Sequence, residues 1–203
     1  MWDERYRAPD FAFGTAPNDF LAAERHRFPP RGRGRVICLA EGEGRNAVFL
    51  ARQGHRVLAV DQSSVGLEKA RMLAREQDVA IETQVVDLAD FHLQPDAWDA
   101  IVSIYAHVPA PIRRRLHAEA VRALRPGGIF LLEAYTPRQP DMPGVGGPPA
   151  EQPDLFMRAT SLRKELDGLE FLHVVELERE INEGAYHQGL GHVVQVIAAK
   201  TSD

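Results

Sequence analysis

From residue 35 onward, short apolar runs rich in β-branched residues alternate with longer stretches whose apolar positions recur every three or four residues. Runs of the first kind suit strands covered on both faces, and stretches of the second kind suit amphipathic helices. The expected strands are Arg35 to Ala40, Arg56 to Asp61, Ala80 to Asp87, Trp98 to Tyr105 and Ile129 to Tyr135. Helices are expected over Asn46 to Arg52, closed by Gly54, and over Ser64 to Gln77, with Leu67, Ala70 and Ala74 on one face. A third covers Pro111 to Leu124, with Ile112, Leu116, Ala120 and Leu124 on one face. Such alternation builds a mainly parallel sheet with helices on both sides, an open three-layer α/β fold.

After Tyr135 the alternation stops. The 19 residues from Thr136 to Asp154 hold six prolines and three glycines, a composition that forms neither a helix nor an interior strand. A loop of that length in a compact domain is expected to cover a site rather than merely connect elements. A short helix over Thr160 to Leu166 follows. Two further strands, Glu170 to Glu183 and His192 to Ala199, are joined through Gly184 to Gly191 as an antiparallel hairpin. The first 28 residues form an aromatic arm, with Trp2, Tyr6, Phe11 and Phe13, that leads through Gly14 and Pro17 into a helix ending near Phe28. At 203 residues without internal repeats, the chain is expected to be one domain, with Arg31-Gly32-Arg33-Gly34-Arg35 a basic lead-in to the first strand.

Charge narrows the partners. Lys and Arg total 24 against 29 Asp and Glu, a net charge of -5, so there is no basic field to hold a nucleic acid. The lone Cys38 excludes an internal disulfide and a cysteine-rich metal framework. No apolar run has the length of a membrane span, and the start of the chain lacks the basic-then-apolar order of a signal peptide. A cytoplasmic protein acting on a small molecule, as a monomer or homodimer and without bound metal, is the expectation.

The chemistry concentrates where the first strand meets the first helix: Ala40-Glu41-Gly42-Glu43-Gly44-Arg45-Asn46. Gly42 and Gly44 let the backbone turn sharply and let a ligand lie against bare peptide groups. Seventeen residues after Gly44, Asp61 ends the second strand, where a carboxylate can accept both hydrogens of a ribose diol. Asp87 closes the third strand, where it can accept from an adenine amino group while Leu88 packs on the ring. Two nucleoside-cofactor families share this order: nicotinamide dehydrogenases, because Gly42-x-Gly44-x-x-Ala47 also satisfies the dinucleotide fingerprint, and methyltransferases using S-adenosylmethionine. Three features favour the second: a Leu124-Arg125-Pro126-Gly127-Gly128 turn before the fifth strand, the terminal hairpin, and too little chain for a separate substrate domain.

On these motifs the chain resembles class I S-adenosylmethionine-dependent methyltransferases over residues 35 to 200. Within them it is most similar to the tellurite-resistance (TehB)-like branch, through Trp2-Asp3-Glu4-Arg5-Tyr6, Phe13-Gly14-Thr15-Ala16-Pro17-Asn18, Ala40 to Ala47 and Gly66-Leu67-Glu68-Lys69-Ala70. The resemblance implies a Rossmann-like, seven-stranded sheet whose last strand is inserted antiparallel. It places Gly42 and Gly44 along the cofactor, Asp61 on the ribose flanked by Gln62 and Ser63, and Asp87 and Leu88 on adenine. Ile104 or Tyr105 forms the floor beside the sulfonium, and Trp2, Tyr6 and Phe13 cover the cofactor from the arm. Where the class usually has an acidic residue and a glycine, this chain has Cys38 and Ala40. Cys38 is then inert core, with Glu41 or Glu43 taking over polar contacts and Asn46 beside them. The implied activity is in-line methyl transfer to a small acceptor, with a thiol or chalcogen oxyanion the first classes to consider.

A soft anionic acceptor needs no base, whereas a hydroxyl or amine needs a neutral histidine or a tyrosine. His107, after the fourth strand, and Tyr135, ending the fifth, stand at the crevice edge and are the candidate catalytic residues. His187 and His192 lie by the hairpin connection at a spacing unlike a helical zinc site, and Arg113-Arg114-Arg115 reads as a solvated helix face. An NAD(P)-dependent oxidoreductase and a non-catalytic S-adenosylmethionine-binding protein are the alternatives.

Overall fold

Seven strands build one sheet: β1 (Arg35–Leu39), β2 (Arg56–Asp61), β3 (Glu82–Val85), β4 (Trp98–Ile104), β5 (Leu124–Tyr135), β6 (Glu170–Asn182) and β7 (Gln188–Ala199). Their order in this computed structural model is β3-β2-β1-β4-β5-β7-β6. The structure describes residues 2–30 and 34–202, so Arg31-Gly32-Arg33 of the basic lead-in lies outside the described residues. The pairs from β3 to β5 are parallel, and β7 runs antiparallel between β5 and β6. Helices α1 (Trp2–Tyr6) and α2 (Asp19–Ala23) belong to the arm, α2 passing into a 3-10 turn that ends before Phe28. Around the sheet lie α3 (Arg45–Arg52), α4 (Ser64–Glu76), α5 (Ala110–Ala123) and α6 (Ala159–Glu165).

Strand side chains alternate between faces, and the core divides accordingly. Ile37, Leu39 and Val60 point to one side and pack with Leu116 and Ala120 of α5 and Leu162 of α6. Val36, Cys38 and Ala59 point to the other, where Ala47 and Leu50 of α3 and Leu67 and Ala70 of α4 cover them. Both faces of β1 are therefore apolar. That is the physical reason for its continuous hydrophobic run and for Cys38 being fully buried, its thiol pushed up by burial into an unreactive form.

Several boundaries differ from the sequence expectation. The Leu124 to Gly128 segment is not a free turn: α5 passes directly into β5, and the segment forms a bulge in which Leu124 pairs with Trp98 and Ile129 with Ala100. Gly127, at φ +77, supplies the left-handed residue that the bulge needs. The third strand ends at Val85, so Asp87 lies beyond it rather than closing it. β7 begins at Gln188, four residues before the expected His192, because pairing continues through Gly189 and Gly191 to Asn182↔Gln188. Part of the Pro/Gly-rich loop joins this extension, with Val145 and Gln188 exchanging backbone hydrogen bonds of 2.6 and 2.9 Å. The arginine run is also not a uniformly solvated face. Arg113 is buried in a two-pronged bond to Glu165, and Arg115 donates to the carbonyls of Leu88 and Phe91, leaving Arg114 exposed.

Candidate active site

Strand order reverses between β1 and β4, and ligands of open α/β sheets bind in the crevice at the carboxyl ends of the strands there. Two non-glycine residues at these ends sit in the left-handed region, Ala40 at φ +50 and Tyr105 at φ +52. Such strained positions gather at functional sites. Gly42 and Gly44 follow at φ +63 and +89. A Cβ on Gly44 would come within 2.5 Å of the Ala70 Cβ, so glycine there permits the close approach of α3 to α4. One on Gly42 would come within 2.6 Å of the Tyr6 hydroxyl, and one on Gly66 within 2.9 Å of the Tyr6 ring. The bare peptides of Gly42 and Gly66 thus make room for the Tyr6 ring, which packs directly against them.

Asp61 is buried beside Gly42. Its Oδ2 accepts from the Gly42 N–H at 2.9 Å and its Oδ1 from the Ser63 N–H at 2.8 Å, which leaves each oxygen a lone pair for a further donor. Burial raises the Asp61 carboxyl above its usual range. Ser63 is the N-cap of α4, accepting from the Gly66 N–H and donating to Asp3 of the arm. Gln62 is exposed beside it.

The two glutamates of the loop are largely committed to the fold. Glu41 Oε1 accepts from the N–H groups of Asn46 and Ala47 at 2.8 and 2.7 Å, capping α3 in place of a side chain at Gly44. Glu43 accepts from the Ala12 N–H and pairs with Lys69, which also donates to the carbonyls of Tyr6, Ala8 and Asp10. Glu43 is therefore the tether of the arm.

Burial pushes the Glu41 carboxyl from 4.5 up to about 7 against its backbone donors and Arg45. The folded protein then keeps a proton that the unfolded chain releases, so stability falls as pH rises through that interval. Compared with Glu41→Gln, the wild type is expected to lose about 3 kcal/mol of unfolding free energy between pH 4.5 and 7. Urea titrations at a series of pH values measure this, and a constant difference between the two proteins would remove the assignment.

The second half of the site is aromatic. Tyr105 stacks on Tyr135 at 4.7 Å, the His187 ring meets them edge-on at 4.4 and 5.4 Å, and Phe13 of the arm lies 4.6 Å from His187. Trp2 stacks on Tyr6, and Phe13 meets Tyr6 at 6.3 Å, so the three arm aromatics link the glycine turn to this box. Beneath lies a buried polar network. Glu133, with no exposure, accepts from Asn18, Tyr105, Arg179 and Gln195, and Glu183 accepts from Asn18, Arg179 and Arg45. Asn46 contributes its side-chain oxygen to the Asn18 N–H. Two carboxylates against two guanidiniums keep the network neutral.

The remaining expected residues are placed as follows by the fold. Ile104 is buried beside Cys38 in the core. Leu88 belongs to the opposite core face, and exposed Asp87, in the turn after β3, accepts from the Ala89 N–H through Oδ1. His107 bonds the Leu155 carbonyl through Nδ1 and accepts the Tyr135 N–H at Nε2, and burial lowers it to about 4. Both ring nitrogens are occupied by backbone, so His107 anchors the loop to β5 and has none left for a substrate proton. Tyr135, by contrast, is fully buried with its hydroxyl unpartnered. The sequence reading missed Asn18, Arg45, Glu133, Arg179 and Glu183. One signal was available: Glu133 interrupts the apolar run Ile129 to Tyr135 with a charge.

The sheet order, with the glycine turn at its switch point and its antiparallel last strands, defines a Rossmann-like α/β fold. Residues 36–128 match the family model described as methyltransferase domain. An uncharacterized methyltransferase YbaJ of Bacillus subtilis is 32% identical over 105 residues, 51% of this chain and 41% of that protein. A 2-heptyl-1-hydroxyquinolin-4(1H)-one methyltransferase of Mycobacteroides abscessus is 25% identical over 126 residues, 60% of this chain and 55% of its own. The chain thus spans about half the length of these curated relatives. TehB from Haemophilus influenzae superposes with a TM-score of 0.72 at 19% identity, over 90% of this chain and 62% of that one, a likeness of fold that does not single out its branch. The residues present fit S-adenosylmethionine in their chemistry: bare glycine peptides beside Asp61, a carboxylate with lone pairs for a diol, and aromatic faces that attract a sulfonium. No helix among the described residues is long and apolar enough to cross a membrane.

Proposed function

We propose that the protein transfers a methyl group from S-adenosylmethionine to a small molecule held in the aromatic box. The observation that carries this reading is the turn at Gly42 and Gly44 tied to Asp61 by the Gly42 N–H. It lies at the switch point of a sheet whose last strand is antiparallel, unlike the parallel dinucleotide-binding sheet of a nicotinamide enzyme. When bound, the cofactor supplies an electrophilic methyl group. The chain's own residues do the rest: Asp61, flanked by Gln62 and Ser63, holds the ribose, Gly42 and Gly44 let it approach, and Asp87 with Leu88 borders the adenine. Trp2, Tyr6 and Phe13 close over the site and exclude water, which favours a displacement limited by alignment.

Support for a small acceptor comes from the absence of any basic field in the composition and from the name of the Mycobacteroides relative. Thiolates and chalcogen oxyanions need no proton removed, and hydroxyl acceptors do. Calorimetric titration with S-adenosylmethionine, S-adenosylhomocysteine and NADH tests the reading. The sulfur nucleosides are expected to bind and NADH is not; binding of NADH alone would overturn it, and tight cofactor binding without turnover on any acceptor would favour a non-catalytic S-adenosylmethionine-binding protein.

A further inference from the structure

We propose that His187 is the general base of the site, and that the acceptor is a planar aromatic molecule bearing a hydroxyl. This rests on the methyl-transfer reading above. Two of the buried side-chain atoms without a hydrogen-bond partner, Tyr135 Oη and His187 Nδ1, belong to the same box of rings. An unpaired buried polar atom is destabilising, so two of them in one box point to a ligand that pairs with them. Tyr105, Tyr135 and Phe13 pack on the histidine at centroid distances of 4.4–5.4 Å, so an acceptor that reaches Nδ1 meets aromatic side chains.

His187 belongs to the connection between β6 and β7, above the carboxyl end of β5 where Tyr135 stands. Burial holds its imidazole well below its usual pKa, and Arg45, His107, Arg5 and Arg179 add to the shift. It is therefore neutral at pH 7 and can accept a proton, unlike His107, whose nitrogens are both engaged. In the tautomer protonated at Nε2, Nδ1 offers a lone pair to the acceptor hydroxyl, while the Tyr135 phenol orients the same oxygen. The acceptor oxygen forms its bond to the methyl carbon as the carbon–sulfur bond breaks. That electron pair stays on sulfur, and the hydroxyl proton passes to Nδ1 and then to water.

A matched pair of probes separates base catalysis from packing: 2-naphthol, whose hydroxyl keeps its proton at pH 8, and naphthalene-2-thiol, which is largely ionised there. Wild type, His187→Gln and His187→Phe are compared, the last retaining a ring should the glutamine variant fold poorly. Calorimetry first establishes that S-adenosylhomocysteine binds all three equally; its failure to bind wild type would defeat the methyltransferase reading itself. With that ligand saturating, 2-naphthol is expected to bind wild type, and the variants several-fold more weakly. In turnover, kcat/KM for 2-naphthol is expected to fall about 10²–10⁴-fold in both variants, while that for the thiol stays within about threefold. The acidic limb of the wild-type pH profile for 2-naphthol is expected to disappear with the imidazole. Equal losses on both probes would make His187 a packing residue, and undiminished naphthol turnover would leave it no role in proton transfer. Failure of wild type to bind or methylate 2-naphthol while binding S-adenosylhomocysteine would overturn the acceptor class.

Discussion

Replacing Glu133 with alanine is expected to lower the unfolding free energy by about 3–5 kcal/mol, the cost of removing one partner from a buried ion pair. Its carboxylate has no exposure and receives four donors: the Asn18 amide at 2.8 Å, the Tyr105 hydroxyl at 2.8 Å, Arg179 at 2.7 Å and the Gln195 amide at 2.6 Å. Without it, Arg179 keeps only Glu183 and the exposed Asp19 as acidic partners, and Gln195 loses its acceptor. Glu133→Gln keeps an acceptor oxygen and is expected to cost less. Adding Arg179→Met to the alanine variant is expected to recover part of the loss, because the uncompensated charge goes with it. Urea unfolding of the single and double variants measures the coupling. A loss below about 1 kcal/mol in Glu133→Ala would mean that water reaches the network. The arm is expected to loosen as well, since Asn18 donates to Glu133 and Glu183 together and fastens the segment between Phe13 and α2.

For Asp61→Ala the expected result is a fall of about 1.5–3 kcal/mol in affinity for S-adenosylhomocysteine, roughly 10- to 150-fold, as for a hydrogen bond to a charged group. The side chain acts twice in this reading: it accepts from the ribose, and it holds the Gly42 N–H and therefore the shape of the glycine turn. Adenosine, which carries the same diol and no amino-acid end, is expected to lose a comparable factor by calorimetry. Unchanged affinity in a variant with native circular dichroism would end the ribose assignment.

Most of the fold was legible because its strands are covered on both faces and its helices on one, so periodicity alone located them. β2 matched its expected bounds, and α3, α4 and α5 came within a residue or so of theirs. The glycine turn, Asp61 at the end of β2 and Ser63 as a helix cap also followed from local spacing, because each depends on the residues next to it in the chain. Boundaries failed where a partner strand decided them. Gly189 and Gly191 look like loop residues, yet Ile181 and Arg179 pair with them and carry β7 back to Gln188. The Pro-Gly-Gly segment before Ile129 looks like a turn, yet β4 receives it as a bulge.

The amino-acid order by itself determined the α/β architecture, the antiparallel end of the sheet and the half of the site that lies on one continuous strand-turn-helix. Tertiary structure alone decided the other half. Asn18, Glu133, Arg179 and Glu183 come from the arm, β5 and the final hairpin, separated by as many as 165 positions, and only folding gives their charges partners. The two histidines are distinguished in the same way. Sequence places His107 at the crevice edge and His187 in a connection, but backbone groups of the loop and β5 occupy the first ring and leave Nδ1 of the second unpaired. Hydrogen-bond capacity is consumed by neighbours in space, and periodicity along the chain carries no record of them.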